Sequence, residues 1–433
     1  MRIRRRTAVY KTGTSLGHIL KWTGIAVLVG VITGMAAVLF TGILNWGIDA
    51  LSPLAQNRWV YVLPALGLML SGLMTSVFAP EAAGHGTDAA IRAYNRRWGY
   101  MSLLTVPVKL VASVFTIASG GSAGREGPTV QMGAALGYWV GRTLNLSLTE
   151  IRKVVMCAMG ASFGSIFAAP LAGGVFGAEV LYRDDMEYNN LYESFVASVS
   201  AYFVYSVVLG RERLFAFSSP GEFVFTPERD VPYFLLFGIG VGAVSLLYVK
   251  TLYGVENLAQ KLPVAPPVRT SIGGLLTGMT ALLATPYVLG PGISLVERVM
   301  TETVPWRILL LLLLGKIAAT AFTVGSGASG GVVAPSLALG ALAGALMALA
   351  AGHPFPETVI AASSIGLLGA AGHIPITGVV MAVEIMGVGL MKPVTMVCLV
   401  GAGISRGDTL FREAHISRAE KAGASHYFGQ RPL

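Results

Sequence analysis

The chain has 433 residues, 54% of them hydrophobic and only 12% charged, with a formal net charge of +9. A soluble domain carries roughly 25% charged residues. The composition therefore excludes an ordinary soluble enzyme and points to an all-α, polytopic membrane protein.

The basic surplus is concentrated. "MRIRRR" opens the chain and marks residues 1–20 as a cytoplasmic N-terminus; no signal-peptide apolar region with a cleavage site is evident there. Apolar runs follow at Ile25 to Ile43 and Val60 to Val77, each approaching the ~20 residues that span a bilayer. Then comes the glycine cluster "AAGHGTDAAI" (Ala82 to Ile91). Thr87 and Asp88 are expected to cap a helix from Ala89. His85 then lies beside the helix start, either as an anion donor and titrating group or as a loop residue that packs. Arg92, Arg96 and Arg97 come next. Two spans separate them from the N-terminus, so both basic clusters fall on the cytoplasmic side, as topology signals and lipid-headgroup contacts and not as a nucleic-acid site.

"GGSAGREGPTV" (Gly120 to Val130) places Arg125 and Glu126 between two long apolar runs. An ionisable residue at membrane depth is a functional candidate; the alternative is a structural pair. Cys157 and Cys398, both inside apolar segments, offer neither a disulfide framework nor a metal site. "APLAGGVFGAEV" (Ala169 to Val180) ends on Glu179 and Val180. A charged, turn-rich stretch from Gly210 to Pro232 is the expected join between halves. Beyond it lie apolar runs at Tyr233 to Leu252, Ile308 to Ala321 and Gly331 to Ala351, and from Arg412 a short polar tail.

The chain repeats itself. "GSAGREGPTVQMG" (Gly121 to Gly133) aligns with "ASGGVVAPSLALG" (Ala328 to Gly340), so that Pro128 meets Pro335 and Gly133 meets Gly340, 207 residues apart. "APLAGGVFGAEV" aligns with "IPITGVVMAVEI" (Ile374 to Ile385), pairing Pro170 with Pro375, Gly173 with Gly378 and Glu179 with Glu384, each 205 apart. Near-constant spacing across two unrelated patterns predicts two membrane repeats, 21–215 and 216–411, followed by a tail, 412–433. In transporters such halves are often inverted, with the site between them.

Pro128 and Pro335 mark helix starts, since proline fits the first turn. The loops before them then present free N–H groups at the positive end of a helix dipole. Two such ends aimed at one point make an anion site without a full cation, tight enough to admit an ion and loose enough to release it. An ionised Glu126 on the same loop can occupy that site, and a protonated or displaced Glu126 vacates it.

Together these motifs resemble the CLC family of chloride channels and proton–chloride antiporters, over roughly Ile25 to Phe411 and in the bacterial form without a C-terminal regulatory domain. "GREGPTVQMG" is similar to that family's gating-glutamate motif, and "GSGASGGVVAPSLALG", "APLAGGVFGAEV" and "IPITGVVMAVE" to its later signatures. The resemblance implies a homodimer in the bacterial inner membrane. Each subunit would be an inverted repeat of many short tilted helices with one anion pathway, without cofactor or metal. It implies that Glu126 is the gate, that Arg125 and Gly127 flank an outer ion, and that the backbone of Val332 and Val333 holds a central ion. His85 stands where the family usually has a serine, and Phe411 where it usually has a tyrosine. Proton-coupled members usually carry two adjacent acids where this chain has Glu179 and Val180, so a proton relay would be lost or rerouted through His85, Glu187 or Glu193. The expectation is chloride permeation, channel-like or weakly proton-coupled, with a proton-coupled antiporter and a fluoride exporter as alternatives. An intramembrane enzyme is the reading of another class; no HExxH occurs among the six histidines.

Overall fold

A computed structural model describes residues 16–55, 57–210 and 223–418. The "MRIRRR" cluster, residues 211–222 of the expected join and most of the polar tail lie outside the described residues. Among those described are sixteen α-helices and no sheet. In the first half they are α1 (Leu16–Ala55), α2 (Leu63–Phe78), α3 (Thr87–Arg96), α4 (Thr105–Ala118), α5 (Glu126–Thr143), α6 (Leu148–Phe167), α7 (Pro170–Glu179) and α8 (Leu191–Leu209). The second half repeats the series as α9 (Pro227–Gln260), α10 (Pro266–Leu283), α11 (Ile293–Thr301), α12 (Trp306–Gly325), α13 (Val333–Ala351), α14 (Pro356–Gly372), α15 (Pro375–Met386) and α16 (Met391–Ile404).

Every helix of the first half thus has a counterpart eight places on. α1, α8, α9, α12 and α13 are long and apolar enough to cross a membrane. α2 is shorter than its apolar run, because Arg58–Tyr61 form a separate 3-10 turn. Large apolar side chains such as Phe203, Val207, Leu236 and Leu283 face outward, as suits lipid contact. Small and apolar residues of α5, α6, α13 and α14 fill the centre.

The halves are related by a pseudo-two-fold axis. Gly124 and Gly331, 207 residues apart, donate N–H to each other's carbonyl at 2.8 and 2.6 Å, so a residue meets its own repeat mate and the axis passes between them. Cross-pairs obey the same exchange: Ser113 Oγ lies 2.8 Å from Ser329 Oγ, and Ser122 Oγ 2.8 Å from Thr320 Oγ1. Orientation follows from the helix ends. Lys21 near the start of α1 pairs with Glu150 at the start of α6. Arg152, one turn on, stacks over Tyr94 and Trp98 at the end of α3. The end of α9, at Tyr253 and Glu256, meets that same α3 face around His85 and Arg92. The start of α9, at Asp230, sits ~35–40 Å of helix away beside His353. So α1 begins on the face where its mate α9 ends, and the repeat is inverted.

Two carboxylates lock the halves together. Glu179, at the end of α7, accepts from the N–H groups of Ile376 (2.9 Å) and Thr377 (2.7 Å) and from Thr377 Oγ1 (2.6 Å) at the start of α15. Glu384 on α15 returns the arrangement, accepting from Leu171 N–H (2.8 Å) and Ala172 N–H (2.7 Å) at the start of α7. Each fills the acceptor role that a helix N-terminus lacks. Glu384→Ala should therefore cost ~1–3 kcal/mol, read as a lowered thermal midpoint of the detergent-solubilised protein. An unmoved midpoint would show that the cap carries no stability.

Candidate functional site

The axis brings the two glycine loops and their helices to one place. α5 begins at Glu126 and α13 at Val333, so Pro128 and Pro335 occupy the first turn, as the sequence predicts. Glu126 is 1% exposed. Its Oε2 accepts from Ala334 N–H at 3.4 Å, at the start of α13, while Oε1 has no partner among the described residues. The carboxylate of one half therefore sits at the positive end of a helix from the other, an interaction worth ~0.3–2 kcal/mol. That is weak enough for a competing anion to displace it.

Val332 and Val333 are buried beneath it. Ser336 Oγ (2.7 Å) and Tyr248 Oη (3.3 Å) both donate to the Val332 carbonyl and fix the first turn of α13. Arg125 points elsewhere: its Nη1 reaches Thr41 Oγ1 at 3.4 Å. Gly127 is pressed against the histidine loop. A Cβ there would lie 2.1 Å from the His85 carbonyl oxygen and 3.1 Å from Gly331 Cα, so only glycine fits.

His85 is 9% exposed, with Nε2 3.3 Å from Asp88 Oδ2. It borders a cavity of about 300 Å³ lined also by Glu81, Arg92, Arg97, Tyr253 and Glu256. This vestibule is lined by Arg92 and Arg97 and by the acids Glu81, Asp88 and Glu256. The buried Phe411 ring lies 6.4 Å from the imidazole, centre to centre. Its segment is tied down by Tyr253 Oη donating to Leu410 O (2.5 Å) and by Arg92 and Arg96 on Glu413, each at 3.0 Å. The structure thus gathers Glu126, Gly127, Val332, Val333, His85 and Phe411 around one centre.

One expectation is corrected. Thr87 and Asp88 do not cap a helix from Ala89: α3 begins at Thr87, its N-cap is Gly86, and no side chain caps it. Asp88 instead reaches outward, facing His85, Tyr253 Oη (3.4 Å) and Glu413 N–H (3.4 Å). Glu179 is occupied as the α15 cap, and Val180 beside it is buried and apolar. Glu193 pairs with Lys153 at 2.5 Å, and Glu187 lies 3.7 Å from Arg418, so both are engaged in ion pairs.

Two lysines are also buried in the interior. Lys109, fully buried, donates to Ala82 O (2.9 Å) and Gly84 O (2.7 Å) and packs against Gly86. Its repeat mate Lys316 donates to Val288 O (3.1 Å) and Gly290 O (2.7 Å). Lys109, Tyr248, Ala334 and the outward role of Asp88 escape the sequence reading. The 207-residue spacing of the two lysines was the available signal. A larger cavity, about 380 Å³ around His353 and Glu357 on the opposite face, contains none of the candidate residues.

Gly127→Ala should drive the His85 loop away from α5 and lower anion flux by ~10²-fold, as misplacement of a site by about 1 Å does. Tracer uptake by liposomes measures it, and near-normal uptake would contradict the close packing described.

Comparison with known proteins agrees with this architecture. The family model described as voltage gated chloride channel matches residues 67–406. A curated relative from Yersinia pseudotuberculosis, named H(+)/Cl(-) exchange transporter ClcA, is 30% identical over 397 residues, covering 86% of this chain and 82% of the relative. Among solved structures, a CLC-type fluoride/proton antiporter superposes with a TM-score of 0.84 at 23% identity, covering 94% of this chain and all of that one. A slow cyanobacterial Cl-/H+ antiporter gives 0.79 at 22% identity, covering 95% and 99%. The motifs, the inverted repeat and these matches together make the chain a member of the CLC, or voltage-gated chloride channel, family.

Proposed function

We propose that the chain carries chloride across a bacterial inner membrane, through a pathway that Glu126 gates. One observation carries this reading: the Glu126 carboxylate rests on the Ala334 N–H at the start of α13. An anion arriving from the vestibule competes for the same amide-rich end, formed by Val332, Val333 and Ala334. Protonation removes the charge of Glu126 and with it the competitor. His85, with Phe411 packed beside it, lines the approach from the vestibule. Lys109 and Lys316 are engaged with backbone carbonyls, which leaves the helix ends as the anion donors.

Coupling to protons is the second reading. It is supported by the exchange activity for which the Yersinia relative is named. The buried valine at 180 supports weak coupling by any route along the end of α7. Two such pathways in a homodimer fit the outward-facing apolar residues Leu171 and Ile376 beside the reciprocal caps. The repeats proposed for 21–215 and 216–411 then constitute one pathway per subunit.

Glu126→Gln tests the gate. In proteoliposomes, wild-type chloride efflux should rise as pH falls and Glu126 gains a proton. The variant should be fast at neutral pH and lose that dependence. A variant with the wild-type pH profile would remove Glu126 from the gate.

A further inference from the structure

Glu126 is almost wholly enclosed, so a proton that reaches it from the vestibule must be handed through the protein or its enclosed water. His85 is built for such a transfer. Its Nε2 faces Asp88 Oδ2 at 3.3 Å. Its Nδ1 is buried and has no hydrogen-bond partner among the described residues. The imidazole is thus held at one nitrogen and open at the other, on a side chain about nine-tenths buried at the vestibule wall. Its backbone touches Gly127, the residue next to Glu126.

The groups around it favour this histidine over its neighbours. On α4, Lys109 is tied to two carbonyls, one of them that of Gly84, next to His85. Glu81 accepts from Ser102 N–H and from Thr105 Oγ1. On α3, Arg92 is bound to Glu413, whose N–H donates to Asp88. From α9, Tyr253 donates to Leu410 O and faces Asp88, and Glu256 lines the same cavity. From α10, Arg269 Nε is held by Ser326 O.

We propose that the His85–Asp88 pair is the port through which protons pass between the vestibule and Glu126. The proposal rests on the reading of Glu126 as the gate. A proton from vestibule water binds the imidazole, which the Asp88 carboxylate holds at Nε2. The Nδ1 proton then leaves, through enclosed water, to the Glu126 carboxylate, which becomes the neutral acid. The imidazole is returned neutral, and the net change is one proton moved. Anion and proton share the vestibule and diverge at His85, so the end of α7 is not needed for the proton.

The experiment measures chloride and proton movement together, with two electrodes, on full-length protein in liposomes under a chloride gradient. Wild type should move protons against chloride. His85→Asn keeps a polar side chain that cannot titrate, and should cut protons moved per chloride by ~100-fold, the range lost with a general acid–base group, whatever its absolute chloride rate. Asp88→Asn removes the carboxylate that holds Nε2 and should also lower the protons moved per chloride. A merely structural histidine would change the chloride rate without changing the ratio. An unchanged ratio in His85→Asn or in Asp88→Asn overturns the port. Wild type that moves chloride but no protons also overturns it and leaves the gated pathway standing. Wild type that moves no chloride fails both.

Discussion

Two backbone amides that bond to each other's carbonyls across the repeat axis, at Gly124 and Gly331, hold this molecule's centre together. The pairing requires the two loops to approach without side chains between them. Once they do, α5 and α13 must begin within two residues of the axis. Their positive ends then lie close enough for a carboxylate on one to reach an amide on the other. The contact of Gly127 with the His85 carbonyl extends the same packing to a third loop. The site is thus a consequence of how near three chain segments can come, more than of any one side chain.

The electrostatics of the centre rest on small charges. Helix ends contribute fractions of a charge and bind anions loosely. Lys109 and Lys316 are wholly buried, and burying such a group as an ion costs several kcal/mol unless dipoles surround it. Each donates to two carbonyls, which supply such dipoles and direct most of its donors away from an incoming ion. A pathway that must release what it binds is served by this arrangement.

The repeat was legible because it is a matter of spacing: prolines, glycines and glutamates recur at fixed intervals, and α5, α7, α13 and α15 fall where those intervals put them. Glu126 was legible as a candidate because a carboxylate among apolar runs needs a reason to be there, and the family resemblance suggests the role proposed for it. What stayed hidden depends on distant partners. Asp88 looks like a cap from its neighbours, yet its contacts on Tyr253 and Glu413 lie 165 and 325 residues away. Tyr248 sits in an apolar helix with nothing local to mark its bond to Val332. Glu179 reads as one of a mirrored pair, but the sequence does not say that each carboxylate serves the other's helix.

That mutual service bears on biogenesis. The amides that open α7 depend on an acceptor about 200 residues further along the chain. At ~5–20 residues per second of synthesis, that acceptor appears roughly 10–40 s later. During that delay the donors that open α7 lack the partner they have in the folded molecule. A polypeptide severed between the halves would have to find its counterpart to satisfy them.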